Sequence, residues 1–143
     1  MPLLKPIRTS LEVGFPEGGP GERLLAYRGR EFRSIPLKDR FPYADAQFEV
    51  VLMQASAVNR NSVKEAHRVL CPEGRLYFTV PEKTKKQDGF TLPEIYSIVR
   101  EGFNIVEVER PAWWLFGLRG RTIMICAQKK NWRAHVNTYR PLV

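Results

Sequence analysis

Phe48 to Met53 (FEVVLM) is a six-residue apolar run broken by one acid. It is too short for a self-standing helix, and its paired valines favour an extended backbone. Apolar residues at consecutive rather than alternate positions suit a strand covered on both faces, as inside a parallel sheet. The flanking segments repeat the theme. Ser62, with Glu65 three residues on, has the pattern of a capping box and predicts a helix over Val63 to Leu70, with Ala66, Val69 and Leu70 on one face. Pro72 and Gly74 predict a tight turn, and Arg75 to Val80 a second strand.

Thr91 opens the next helix, with Pro93 in its first turn, Glu94 completing the cap, and Ile95, Ile98 and Val99 as its apolar stripe. Gly102 ends it. Phe103 to Glu109 and Thr122 to Ala127 predict two closing strands around a turn at Gly117 to Gly120, arranged as an antiparallel hairpin. On the N-terminal side, Ile7 to Val13 and Glu31 to Ile35 predict short strands. Between them lie a glycine- and proline-rich loop, Gly14 to Gly21, and a short helical stretch, Glu22 to Tyr27. Pro81 to Gly89 is polar and lysine-bearing, and predicts an exposed, mobile loop. Strands alternating with helices predict an α/β domain, mostly parallel, over the whole 143 residues.

Lysine and arginine outnumber acids 23 to 15, a formal charge of +8, which makes nucleic acid or another anionic partner one expectation. The basic residues are spread along the chain, which favours an ordinary solvated surface. Cys71 and Cys126 lack metal-ligand spacing and predict free buried thiols in a reducing compartment. No stretch is long and apolar enough to span a membrane, and Met1 to Ser10 has no signal-type apolar core, so a cytoplasmic location is expected.

Phe41 to Gly74 adds a resemblance. Phe41, Pro42 and Tyr43, then Asp45, Phe48 and Glu49, then Glu65, Arg68, Val69 and Leu70, then Pro72 and Gly74, form an ordered set. The set resembles the signature of the class I S-adenosylmethionine-dependent methyltransferases of the small-molecule type. The likeness extends over about Phe32 to Lys130, through the helix from Thr91, the strand opening at Phe103 and the last strand Arg121 to Lys130. Glu73 departs from the family turn, which has glycine there. The resemblance implies a Rossmann-like methyltransferase fold in which Glu65 and Arg68 tie their helix to neighbouring loops.

It also implies a cofactor, S-adenosylmethionine. In the family, the first strand ends in an acid and a glycine-rich loop that approaches the cofactor. Glu12, Gly14, Gly19 and Gly21 are the matching positions, with Asp39 near the place of an adenine-contacting acid and Gln54 at the end of the next strand. Ser56, Asn59, Trp113 and Trp114 are the positions implied for the substrate. Only Glu22 to Arg40 separate the first loop from the Phe41 turn, so roughly one βα unit of the family, about 30 residues for a βαβ motif, is expected to be missing. Residues 1–30 are then a divergent N-terminal segment and residues 131–143 a basic tail. A missing unit leaves a sheet flank open, which predicts a homodimer.

No catalytic side chain is assigned, since methyl transfer needs mainly positioning. His67, inside a helix, is a candidate base or a structural histidine. Methyl transfer to an unidentified acceptor is one function class. A non-catalytic binding or oligomerisation module is a second, and a basic nucleic-acid-binding protein a third.

Overall fold

The computed structural model describes residues 9–15, 31–110 and 121–130. The expectations for Gly19, Gly21, Glu22 to Tyr27, Trp113, Trp114 and Gly117 to Gly120 lie outside these residues. The described elements are β1 (Thr9–Val13), β2 (Glu31–Ile35), β3 (Phe48–Met53), a 3-10 turn (Ala55–Ala57), α1 (Arg60–Val69), β4 (Leu70–Pro81), α2 (Leu92–Val99), β5 (Phe103–Glu109) and β6 (Thr122–Lys129).

Six strands form one sheet in the order β2-β1-β3-β4-β6-β5. β1 pairs in parallel with both β2 and β3, and β3 pairs in parallel with β4. β6 runs antiparallel to both β4 and β5. The closing pair is therefore antiparallel as expected, but β6 is threaded inward and β5 forms the edge. Burial explains the order. Ile123, Ile125, Cys126 and Ala127 of β6 are buried, whereas Asn104, Val106, Glu107 and Glu109 of β5 are exposed. A register shift between Ile105 and Glu107 bends β5, a common feature of edges.

The registers align Leu11, Val51, Leu76 and Ala127 in one row, and Val13, Met53, Phe78 and Ile125 in the next. These residues belong to one core that also takes in Val63, Ala66 and Val69 of α1 and Ile95 and Val99 of α2. α1 thus buries Ala66 and Val69 of the stripe read from its sequence, with Leu70 buried at the start of β4, and α2 buries Ile95 and Val99 and partly buries Ile98.

Three local expectations are corrected. Helix α1 starts at Arg60, and its N-cap is Asn59 rather than Ser62; Ser62 instead closes the reciprocal capping box. The turn at Pro72 to Gly74 lies inside β4, which starts directly at Leu70. Glu73 there adopts a left-handed φ of 67°, and a Cβ on Gly74 would stand 2.9 Å from the Cys71 carbonyl oxygen. The segment after Pro81 is laced down rather than loose. Lys83 N donates to Phe90 O at 2.9 Å, Phe90 N to Pro81 O at 2.8 Å, and Glu82 N to Arg121 O at 3.0 Å. Gln87 Nε2 adds bonds to the carbonyls of Glu82 and Arg121. Both cysteines are free thiols, with Cys126 buried and Cys71 only half-buried.

Candidate functional site

The carboxyl ends of β1, β2 and β3 meet at one point, the usual place for a ligand in an open α/β sheet. The meeting point is fixed by two hydrogen bonds that carry the ladder one residue past β1. Gly14 N donates to Ile35 O at 2.9 Å, and Gln54 N donates to Val13 O at 3.1 Å. Gly14 has a φ of 83°, a left-handed backbone that side chains resist. A Cβ there would come within 3.0 Å of Ala57 Cβ and 3.7 Å of Gln54 Cβ. Glycine is thus required both by conformation and by close approach.

A cleft of about 640 Å³ opens at this point. Gly14, Phe15, Ile35, Leu37, Gln54 and Ser56 are among its lining residues. Its volume lies within the range of small-ligand sites, about 300–1,000 Å³. Ser56 Oγ donates to Gln54 Oε1 at 3.1 Å, which orients the amide. Below, Ser62 Oγ donates to Ala57 O at 2.6 Å and anchors the 3-10 turn to α1.

The structure brings together Gly14, Gln54 and Ser56 of the sequence candidates. Glu12 lies two residues back along β1, 1% exposed, across from Ser34 and Leu52. Asn59 lies just past the cleft with its side chain committed to the helix: Oδ1 accepts from Ser62 N at 2.8 Å. Asp39 is exposed, and its backbone carbonyl accepts from Asn61 Nδ2 at 2.8 Å. It is absent from the cleft lining. Sequence reasoning missed Leu37, which sits at the cleft 43% exposed. The signal was an apolar residue directly after a strand and a proline, in a segment read only as a loop.

The other motif residues are structural. Glu65 Oε1 accepts from Phe41 N and from Arg68 Nη2, both at 2.9 Å. Arg68 also donates to Tyr43 O at 2.8 Å, Phe41 O at 2.9 Å and Asp45 Oδ1 at 3.0 Å. The guanidinium hydrogen bond, with the Phe41 amide and the nearby positive charge, outweighs burial and holds the Glu65 carboxyl below its ordinary value. This knot fixes the Phe41 turn against α1, as the resemblance implied. His67 lies on the same helix, half-buried, with Phe103 edge-on at 5.4 Å. Burial, aided by the charge of Lys129, pushes its pKa below the ordinary imidazole value.

No family model matches the sequence and no curated protein matches it. Solved structures do. An S-adenosylmethionine-dependent methyltransferase from Methanosarcina mazei is 15% identical, with 89% of this chain and 94% of that chain covered and a TM-score of 0.67. The 1,6-didemethyltoxoflavin-N1-methyltransferase of Burkholderia thailandensis, solved with 1,6-didemethyltoxoflavin and S-adenosylhomocysteine bound, is 20% identical over 87% of this chain and 72% of that chain, with a TM-score of 0.61. The [4+2]-cyclase SpnF is 16% identical over 89% of this chain and 76% of that chain, with a TM-score of 0.65. At these identities the likeness is one of architecture, and the architecture is the Rossmann-like methyltransferase fold.

Proposed function

We propose that the cleft at Gly14 binds S-adenosylmethionine and that the protein transfers its methyl group to a small acceptor. One observation carries this reading. Gly14 holds a left-handed backbone at the carboxyl end of β1, facing Gln54 and opening onto the cleft. A side chain would fill that cradle, so the position suits close backbone approach to a ligand. Gly14, Gln54 and Ser56 are the residues that would hold the cofactor there. Glu12, Gly19, Gly21 and Asp39 remain further candidates for it, and Asn59, Trp113 and Trp114 for the acceptor. When bound, S-adenosylmethionine supplies a methyl group already activated on a sulfonium; the chain supplies position and orientation.

A second reading is a non-catalytic module that keeps the fold, and one observation favours it. The residues directly after β2 are Pro36 and Leu37, with no carboxylate to reach a ribose diol. The same shortness between β1 and β3 motivates the loss of a βα unit and pairing of two copies through the β2 flank. Anionic acceptors or nucleic acid, in the cytoplasm, fit the charge of +8.

Calorimetry with S-adenosylmethionine and S-adenosylhomocysteine separates the readings. Binding in the micromolar range, lost in Gly14→Leu, is the expected result. A folded sample that binds neither at millimolar concentration would overturn the proposal and leave the module reading.

A further inference from the structure

A second concavity lies away from the cleft, on the helical layer. It is a groove of about 470 Å³ between α1 and the turn from α2 into β5. Its floor is apolar: Ile98 is partly exposed there, above Val63 and Phe103, which are 4% and 2% exposed. Gly102 lines it as well, and a Cβ there would strike the His67 ring at 2.5 Å. The missing side chain therefore makes room for the imidazole in the groove wall. His67 Nε2 is buried there with no hydrogen-bond partner among the described residues.

The rim is charged. Arg60 and Lys64, four residues apart on α1, are both exposed and line the groove. At that spacing they share one face of the helix. Arg60 reaches over to α2, where Nη1 donates to Ser97 O at 3.3 Å. Among the described residues that long bond is the one it makes, which leaves its other guanidinium donors for a ligand. Lys64 is an exposed cation beside it. One acid, Glu101, lines the same groove.

Among the described residues, two cations and one carboxylate leave the rim with a single positive charge. A polyanion would meet Glu101, and an uncharged ligand would leave the cations unused. A monoanion with a flat apolar body satisfies both parts, its ring against Ile98 over the buried Val63 and Phe103 and its acid between Arg60 and Lys64. We propose that this groove is a binding site for a small aromatic carboxylate, distinct from the cleft at Gly14. Because Ser62 of α1 is bonded to Ala57 of the cleft wall, the two sites share one rigid element.

The test is a nuclear magnetic resonance titration of the full chain with benzoate, against benzyl alcohol as the uncharged analogue. Benzoate is expected to give saturable amide shifts centred on Val63, Lys64, His67, Gly102 and Phe103. Benzyl alcohol should bind about tenfold more weakly, the equivalent of one lost charge-assisted contact. Lys64→Gln, at an exposed position, should weaken benzoate by about threefold to fivefold and leave benzyl alcohol unchanged. No saturable shift, equal binding of the two probes, an unchanged benzoate affinity in Lys64→Gln, or shifts centred on Gly14, Gln54 and Ser56 would each overturn the proposal.

Discussion

Glu73 and Gly14 both hold a left-handed backbone and lead to opposite predictions. Glu73 bears a side chain at a φ of 67°, where such a backbone costs about 1–2 kcal/mol. Glycine would relieve that strain but loses about 0.5–1 kcal/mol to its freer unfolded state. Glu73→Gly is therefore expected to stabilise the protein by about 0.5–1 kcal/mol, read as a higher urea midpoint at unchanged slope. Gly14 is the converse. Gly14→Ala adds the same strain and a 3.0 Å contact with Ala57 Cβ, so it should cost about 1–2 kcal/mol in the same assay. It should also weaken S-adenosylhomocysteine at least about tenfold if the backbone at residue 14 meets the ligand. Glu73 was legible as a departure from a glycine in the family turn. Its backbone conformation was not, since it depends on how α1 runs straight into β4. The cap of α1 misled for a related reason. Ser62 and Glu65 have capping-box spacing, but so do Asn59 and Ser62. The second pair wins because Glu65 is engaged by Arg68 on its own helix and by Phe41, 24 residues away in sequence.

At the scale of elements, the knot of Glu65 and Arg68 joins α1 to the loop before β3, and its chemistry is pH-dependent. The Glu65 carboxyl titrates below its ordinary 4.5 in the folded protein. Its contribution is thus complete above pH 4.5 and is lost as the pH falls through the lower folded value. Glu65→Gln is expected to destabilise the protein by about 1–2 kcal/mol at pH 7, because a charge-assisted pair becomes a neutral one. The deficit should shrink towards pH 3. Urea midpoints of both proteins across that range are the measurement, and a deficit that stays constant would mean that the charge of Glu65 does not stabilise the fold. The side chains of Arg68 and Glu65 are 18% and 14% exposed, so solvent screens the pair only partly. This clamp and the Thr91–Glu94 box of α2 were legible because each rests on local spacing or on an ordered motif. The bracing of residues 82–90 was not. Its polarity and three lysines read as a free loop, whereas its bonds run to Pro81 and Arg121 and leave no trace in composition.

For the molecule as a whole, the parallel core was readable from consecutive apolar runs and from strand–helix alternation. The placing of β6 between β4 and β5 was not, because strand order is decided by pairing between distant segments. A hairpin pattern fixes that two strands are antiparallel, but not which of them also meets the rest of the sheet. The buried residues of β6 and the acids of β5 decide it. The cleft depends on the same long-range assembly, since it exists only where β1, β2 and β3 end together, and a ligand bound there would hold all three ends. A ligand that binds only the folded state adds RT ln(1 + [L]/Kd), about 2.7 kcal/mol at a hundredfold excess over Kd. In a chain of 143 residues that amounts to a rise in melting temperature of about 8 °C. S-adenosylhomocysteine at a hundredfold excess over its calorimetric Kd is expected to produce it, and Gly14→Leu to abolish it. Benzoate acts at the other site, so its smaller rise should survive Gly14→Leu and fall in Lys64→Gln. If instead Gly14→Leu removed both rises, the groove and the cleft would be one site, and the helical layer would carry no binding function of its own.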